Sequence, residues 1–148
     1  MLGELSATEI EELLRRGQVG RLGVVGGGRV YIFPISYGYT GDCAYSVSHP
    51  GLKVRLMREN PAVCLEVEEI QSPAHWRTVL LHGRFEELHG QTERDAALAA
   101  IVSQGPRPAP PSLAPYIDGP EGLIAFRIRV SEKTGRFERD EVFHSPSV

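Results

Sequence analysis

The sequence predicts a mainly β fold, a small antiparallel barrel of about six strands with three peripheral helices. Most of its apolar runs alternate with a period of two, and short turns link the first three of them. Such turns join only antiparallel neighbours, because a parallel crossover needs a dozen residues or more. The chain has 148 residues, enough for one ordinary hydrophobic core. We therefore expect a single domain over residues 1–148.

Three segments carry helical signals. Ser6 to Glu9 has the form of a capping box, and apolar residues follow at helical spacing until Gly17. Residues 52–59 predict a short second helix, which the following Asn-Pro pair ends. Residues 92–102 predict the third helix, with Thr92 as its N-cap.

The strands are predicted from alternation and from the turns between them. They cover residues 19–25, 29–39, 43–48, 62–67, 76–88 and 123–130. Gly26 to Gly28 predicts a tight hairpin, and Pro34 marks an edge, a bulge or an opening in the sheet because proline cannot donate to a ladder. Residues 71–75 are expected to form a loop. The five prolines between 104 and 115 predict a stiff surface connection, and a polar tail is expected from about residue 135.

Composition excludes several classes of protein. The net charge of −3 argues against a general nucleic-acid binder. The apolar runs are far shorter than the ~18 residues of a membrane span, and no secretory signal opens the chain. Two cysteines are too few for a disulfide framework, so we expect a reduced, cytoplasmic protein. The histidines show no metal spacing, and no serine-hydrolase, zinc-protease or Walker motif is found.

One stretch has the composition of an anion site. Tyr45, Ser46 and Ser48 end a strand, and Lys53 lies at the start of the helix that follows. A helix N-terminus offers unpaired N–H groups, so hydroxyls and an ammonium beside it suit a phosphate monoester. The alternative is that Ser48 only caps this helix and Lys53 is solvated.

A second candidate lies at the start of the long strand 76–88. Arg77 and Thr78 point to opposite sides of that strand, so one of them can face a phosphate held against the barrel. The alternative is a cross-strand pair between Arg77 and a surface glutamate.

Taken together, these segments resemble the pyridoxamine 5′-phosphate oxidase-like split-barrel flavoproteins, particularly the branch of the nitroimidazole-resistance proteins. The likeness spans nearly the whole chain and depends on the order and spacing of its motifs. They are Leu5–Leu14, Val19–Gly23, Pro34–Tyr37, Gly51–Lys53, Asn60–Cys64, Trp76–Val79, Gly83–Leu88 and Thr134–Phe137.

The resemblance implies a split antiparallel barrel that forms a homodimer, with FMN bound between the subunits. It implies an FMN-dependent oxidoreductase, acting on a small-molecule substrate or on an electron donor such as a nicotinamide nucleotide. The cofactor contacts that it implies are Pro34, Ile35 and Ser36 along the ring; Tyr45, Ser46 and Ser48 near the ribityl chain and phosphate; Lys53, Arg77 and Thr78 on the phosphate; and Glu66 and Val67 near the ring.

This sequence departs from the branch at two positions. The branch commonly has a histidine near Val47 and an arginine where Leu52 stands, so one phosphate-binding cation is missing. No residue is identified as a general acid or base, and the basic C-terminal substrate motif of pyridoxamine-phosphate oxidase itself is not found. The alternatives are a non-catalytic module for flavin or another phosphorylated ligand, a haem or deazaflavin binder, and a structural protein that lost its ligand.

Overall fold

The computed structural model describes residues 1–105 and 122–140. Its elements are β1 (Leu2–Glu4), α1 (Ala7–Arg16), β2 (Val19–Gly26), β3 (Arg29–Ser36), β4 (Gly38–Tyr39), β5 (Cys43–Ser48), α2 (Leu52–Glu59), β6 (Ala62–Ser72), β7 (His75–Leu88), α3 (Gln91–Gln104) and β8 (Ile124–Glu138). The paired strands are antiparallel in the order β3-β2-β6-β7-β8-β5-β4, and β1 pairs with β8. The predicted mainly β fold with three helices is confirmed. Within the described ranges, every helix falls short of the length and apolar character that crossing a membrane requires.

The sheet curls into a barrel because the chain joins its two ends directly. β3 and β4 lie at opposite ends of the strand order, yet Tyr37 alone separates them. Consecutive Cα atoms are only about 3.8 Å apart, so the two sheet ends must meet in space. In place of a ladder, the Ser46 hydroxyl donates to the carbonyl oxygen of Ser36 at 2.7 Å. The barrel is therefore split along the free edge of β3.

Helices cover the two ends of the barrel. Leu13 and Leu14 of α1 are fully buried, and α1 leads directly into the start of β2. At the other end of β2, the side-chain amide of Asn60, which follows α2, donates to the Val25 carbonyl at 3.2 Å. Apolar side chains of both helices join one core with the inward residues of the strands. This burial is the main contribution to stability.

The local signals in the sequence were reliable. Ser6 and Glu9 form both hydrogen bonds of the predicted capping box. Gly27 and Gly28 have φ angles of 58° and 75°, which an L-residue seldom adopts, and they form the predicted hairpin turn between β2 and β3. Pro34 lies in β3, at the end of the strand order, so the predicted edge position is confirmed.

Several predicted boundaries were wrong. The short strand β1 was missed, and the single strand expected over residues 29–39 is interrupted at Tyr37, which divides it into β3 and β4. β6 continues to Ser72, so the expected loop over residues 71–75 is only a tight turn. Gly90, not Thr92, is the N-cap of α3. β8 runs to Glu138, past the expected start of a polar tail, because this polar stretch pairs with β7 from Trp76 to His82, and Lys133 within it pairs with Glu11 of α1. The proline-rich segment lies almost wholly outside the described residues.

Gln104, the last residue of α3, ties three elements together. Its side-chain NH2 group lies 2.6, 2.8 and 2.6 Å from the carbonyl oxygens of Leu14, Arg15 and Gly17, at the C-terminus of α1. Its carbonyl oxygen accepts from the Tyr39 backbone N–H of β4 at 3.1 Å. The carbonyls that end a helix have no intrahelical partner, so Gln104 caps α1 from a distant part of the chain.

We predict that Gln104→Ala lowers the free energy of unfolding by about 2 kcal/mol, because it removes several partly buried hydrogen bonds. Gln91→Ala at the exposed start of the same helix is the matched control, since it removes one exposed bond to Asp95. Urea denaturation measures both. Equal losses of unfolding free energy in the two variants would contradict this capping role of Gln104.

Candidate functional site

The outward-facing side chains of β3, β2, β6 and β7 form one continuous surface, which we call the outer face. Residues paired across an antiparallel ladder project from the same side of the sheet. Two neighbouring rows cross the outer face, namely Pro34, Arg21, Glu66 and Leu80, and Ile32, Gly23, Cys64 and His82. The opposite side of these strands faces the barrel core.

The outer face is unusually apolar for an exposed sheet. Val30 and Ile32 of β3 are 73% and 66% exposed, and Val19, Val25 and Leu80 also face solvent. Two shallow grooves of about 400 and 260 Å³ share Gly23 and Cys64 in their linings. Clustered apolar side chains on a sheet surface indicate a site for a ligand or another protein surface.

The outer face holds two carboxylates and one guanidinium in close contact. Arg21 Nη1 lies 2.5 Å from Glu68 Oε1 but 4.0 Å from Glu66 Oε1. Glu66 Oε2 accepts from the Thr78 hydroxyl at 2.9 Å, whereas its Oε1 is buried and has no hydrogen-bond partner. Burial raises the pKa of Glu66, and neighbouring Glu68 raises it further. Glu66 is thus a carboxyl group with one oxygen left unsatisfied.

A second region lies at the start of α2. The N-cap, Gly51, makes no side-chain hydrogen bond, and no acidic residue stands in the first turn. Lys53 Nζ lies 5.8 Å from the centroid of the Phe33 ring. Burial lowers the pKa of Lys53, and its ammonium forms no ion pair with a carboxylate of the described residues. An uncapped helix start beside an unpaired, partly buried cation favours an anion.

The predicted site residues divide between these regions and the core. Pro34, Ser36, Glu66 and Thr78 lie on the outer face, where Thr78 contacts Glu66 directly. The side chains of Ile35 and Val67 are buried in the core, so only their backbone groups are available to a ligand.

The three predicted residues of β5 do not share one surface. Tyr45 packs against a small apolar cluster beneath α3. Ser46 points the other way, toward Ser36, and Ser48 donates to the His49 carbonyl at 2.8 Å. Adjacent strand residues point to opposite faces, so Tyr45 and Ser46 cannot contact a ligand from the same side. Ser48 does not cap α2, which removes that alternative for its hydroxyl.

Arg77 forms the cross-strand pair that the alternative interpretation predicted. Its Nη2 lies 2.9 Å from Oε1 of Glu69, the residue directly opposite on β6, and Arg16 of α1 also pairs with Glu69. Lys53 lies instead over the Phe33 ring. Phe33 pairs with Leu22 of β2, which pairs in turn with Leu65 of β6, and Leu65 is about 13 Å from Glu69 along β6. The structure does not bring Arg77 and Lys53 together within one chain.

Sequence reasoning missed Arg21, Glu68 and the pair Cys64 and His82, whose Sγ and Nε2 atoms lie 3.9 Å apart. Arg21 and Glu68 are 47 residues apart along the chain. Alternation alone places each of them on an exposed strand side. Only the register between β2 and β6 shows that they meet.

Comparison with known proteins gives consistent results. A model of the family described as pyridoxamine 5′-phosphate oxidase matches residues 6–137. An uncharacterised protein of Rhizobium meliloti (strain 1021) is 32% identical over 139 residues, which cover 89% of this chain and 92% of that protein. The residues that the family model matches include both regions of the candidate site.

Two crystal structures have closely similar folds. An FAD-binding protein from Mesorhizobium loti is 30% identical with a TM-score of 0.75, covering 95% of this chain and 98% of that one. A protein described as a 5-nitroimidazole antibiotic resistance protein from Bacteroides thetaiotaomicron has the same TM-score at 19% identity, covering 95% and 92%. At that identity the second likeness concerns the fold alone.

The pair that holds Arg77 predicts a pH-dependent stability. Burial raises the pKa of Glu69, but hydrogen bonding and attraction from Arg16 and Arg77 lower it more, so this pKa lies below its ordinary value. Such a group stabilises the fold above its unfolded pKa and loses that contribution as the pH falls. Glu69→Gln should therefore cost about 0.5–1 kcal/mol at neutral pH, since the pairs are partly exposed.

The difference in unfolding free energy between the wild type and Glu69→Gln should shrink toward zero below about pH 4, where glutamates are protonated in the unfolded chain. Denaturation curves at several pH values measure it, with Glu132→Gln, an exposed strand glutamate, as control. A cost that stays constant with pH would show that the ion pairs are not its origin.

Proposed function

This chain belongs to the pyridoxamine 5′-phosphate oxidase family, and we propose that it binds a flavin nucleotide, FMN, and acts with it as an oxidoreductase on a small molecule. The observation that carries the proposal is Lys53, which pairs with no carboxylate of the described residues, at the uncapped start of α2. The FAD-binding protein of Mesorhizobium loti, similar over nearly its whole length, supports a flavin.

The phosphate would be held by Lys53 and the first N–H groups of α2. Burial has removed water contacts from this ammonium, and no carboxylate in the part of the chain that the structure describes replaces them. A phosphate would restore that partner and accept hydrogen bonds from the helix N-terminus. Arg77 is not part of this proposal, because Glu69 already occupies its guanidinium.

The ring would lie along the free edge of β3 and reach the outer face. One side of an edge strand leaves backbone N–H and C=O groups unpaired, which suits a flat ring bearing both donors and acceptors. Pro34 and Ser36 are exposed at this edge. Glu66 Oε1, buried and unsatisfied two strands away, would form a hydrogen bond with the ring. Thr78 holds the other oxygen of Glu66 and so fixes its orientation.

When bound, the flavin supplies hydride or electron transfer. The residues of this chain would bind its phosphate, orient its ring and keep water from its apolar side. We propose a nicotinamide nucleotide as electron donor. A flavin that binds but is not reduced by NADH or NADPH would favour the alternative, a flavin-binding module without catalytic activity.

We also propose that two copies associate through the outer face. The exposed aliphatic side chains of β2, β3 and β7 form a surface that a second copy can cover with the same surface, as in most two-fold dimers. Association would also enclose the free edge of β3 and exclude water from a ring bound there.

We predict that Lys53→Ala weakens FMN binding about 10- to 150-fold, because a charged hydrogen bond is worth about 1.5–3 kcal/mol. Riboflavin, which lacks the phosphate, should bind the variant and the wild type equally. Arg55→Ala is the control, since Arg55 is an exposed cation of the same helix. Flavin fluorescence quenching measures all three proteins.

The purified protein should be yellow and release FMN on denaturation, as chromatography of the supernatant would show. Released FAD would correct the choice of nucleotide and leave the flavin proposal intact. A colourless protein that takes up neither nucleotide would contradict flavin binding.

If two copies associate through the outer face, a charge introduced on that face should prevent their association. Ile32→Asp should convert the protein to a monomer at micromolar concentration, because a carboxylate cannot be buried there without a partner. Leu2→Asp on β1, which is similarly exposed but lies two strands beyond β7 and outside the aliphatic surface of β2, β3 and β7, should leave the dimer intact. Sedimentation velocity distinguishes the outcomes, and a wild-type monomer would refute the interface.

A further inference from the structure

The charges on the outer face do not balance. Glu66 and Glu68 share the single guanidinium of Arg21, which lies much closer to Glu68. Glu66 Oε1 therefore keeps neither an ion-pair contact of hydrogen-bonding length nor any other partner, although it is buried. In the free chain, water at the rim of the groove can still screen this charge.

No other charged group of the described residues compensates for Glu66. From β7 it meets the neutral hydroxyl of Thr78, and from β6 the thiol of Cys64 lies next to it on the same face. His82 contacts Cys64 and not Glu66. The β3 residue in its row is proline, and Arg136 of β8 lies opposite Thr78, another strand away.

We propose that association of two copies through the outer face takes up one proton at Glu66 in each copy, so that the dimer tightens as the pH falls. The inference rests on the dimer proposed above and adds its regulation. A second copy laid on this face removes the remaining water from a carboxylate that lacks a cation of its own. A protonated carboxyl is neutral and can donate a hydrogen bond from the oxygen that now has no partner.

The pKa of Glu66 already lies above its ordinary value in the single chain, because burial and Glu68 both disfavour the charged form. Closing the interface extends the same burial. The sign follows from linkage: the state that binds more protons is favoured as the pH falls. With two protons taken up per dimer, the dissociation constant would rise by up to about 100-fold per pH unit above the titration of Glu66.

The test is the dimer dissociation constant of the full-length chain, measured by sedimentation velocity from pH 5.5 to 8.5 with the same excess of FMN in every sample. We expect the wild-type constant to rise at least tenfold between pH 6 and 8. Glu66→Gln, which keeps a neutral group of the same shape, should bind tightly with less than a threefold change. Glu93→Gln, an exposed control on α3, should behave like the wild type.

A second variant and a second measurement guard against loss of folding in Glu66→Gln. Glu68→Gln frees Arg21 for Glu66 and should also abolish the pH dependence. Dilution calorimetry of the wild type in two buffers of different ionisation enthalpy should show proton release on dissociation. A dimer with a constant affinity across the pH range, or a pH dependence that survives in Glu66→Gln, overturns the inference alone. A monomer at every pH overturns the proposed dimer as well.

Discussion

The whole architecture depends on the one-residue connection at Tyr37. Since β3 and β4 end up on opposite sides of the strand order, this residue forces the sheet to close on itself. Its ring is buried, and its hydroxyl donates to the Leu14 carbonyl at 2.7 Å, so the same residue also anchors α1 over the barrel end. Closure by a bend and not by a ladder leaves the edge of β3 unpaired. Both parts of the candidate site lie beside that edge or on the face that it borders.

An apolar barrel interior confines charge to the rims and the outer face, and most of these charges are paired. Glu69 joins Arg16 and Arg77 at the α1 end, while Glu11 accepts from Lys133 and Tyr39 at 2.5 and 2.8 Å. Such pairs mainly fix the helices on the barrel. Among the described residues, Lys53 differs from these because an aromatic ring, and not a carboxylate, is its neighbour. That difference favours Lys53 as the anion-binding residue of the proposed site.

Sequence reasoning succeeded where the signal was contiguous. The capping box at Ser6, the glycine turn after β2 and the lysine at the start of α2 are each determined by a few neighbouring residues. It failed where structure is created by a distant partner: β1 pairs with the end of β8, and the polar residues around Lys133 continue that strand because β7 pairs with them, while Glu11 neutralises Lys133 itself. For the same reason, the charge cluster of the outer face could not be foreseen without the register between β2 and β6.

Near the split of the barrel, the fold leaves one cation and one carboxylate oxygen without a polar partner among the described residues. Lys53, at the first turn of α2, needs an anion, and Glu66 Oε1, on the outer face, needs a hydrogen-bond partner. Isolated, both are costly, because the ammonium has only an aromatic ring as its neighbour and the carboxylate oxygen has lost water without gaining a hydrogen bond. A ligand with a phosphate at one end and a ring bearing hydrogen-bonding atoms at the other would satisfy both groups. A flavin nucleotide has this polarity, whereas a free phosphate would satisfy only the first and an unphosphorylated ring only the second. The two unsatisfied groups therefore argue for one extended ligand more strongly than either does alone.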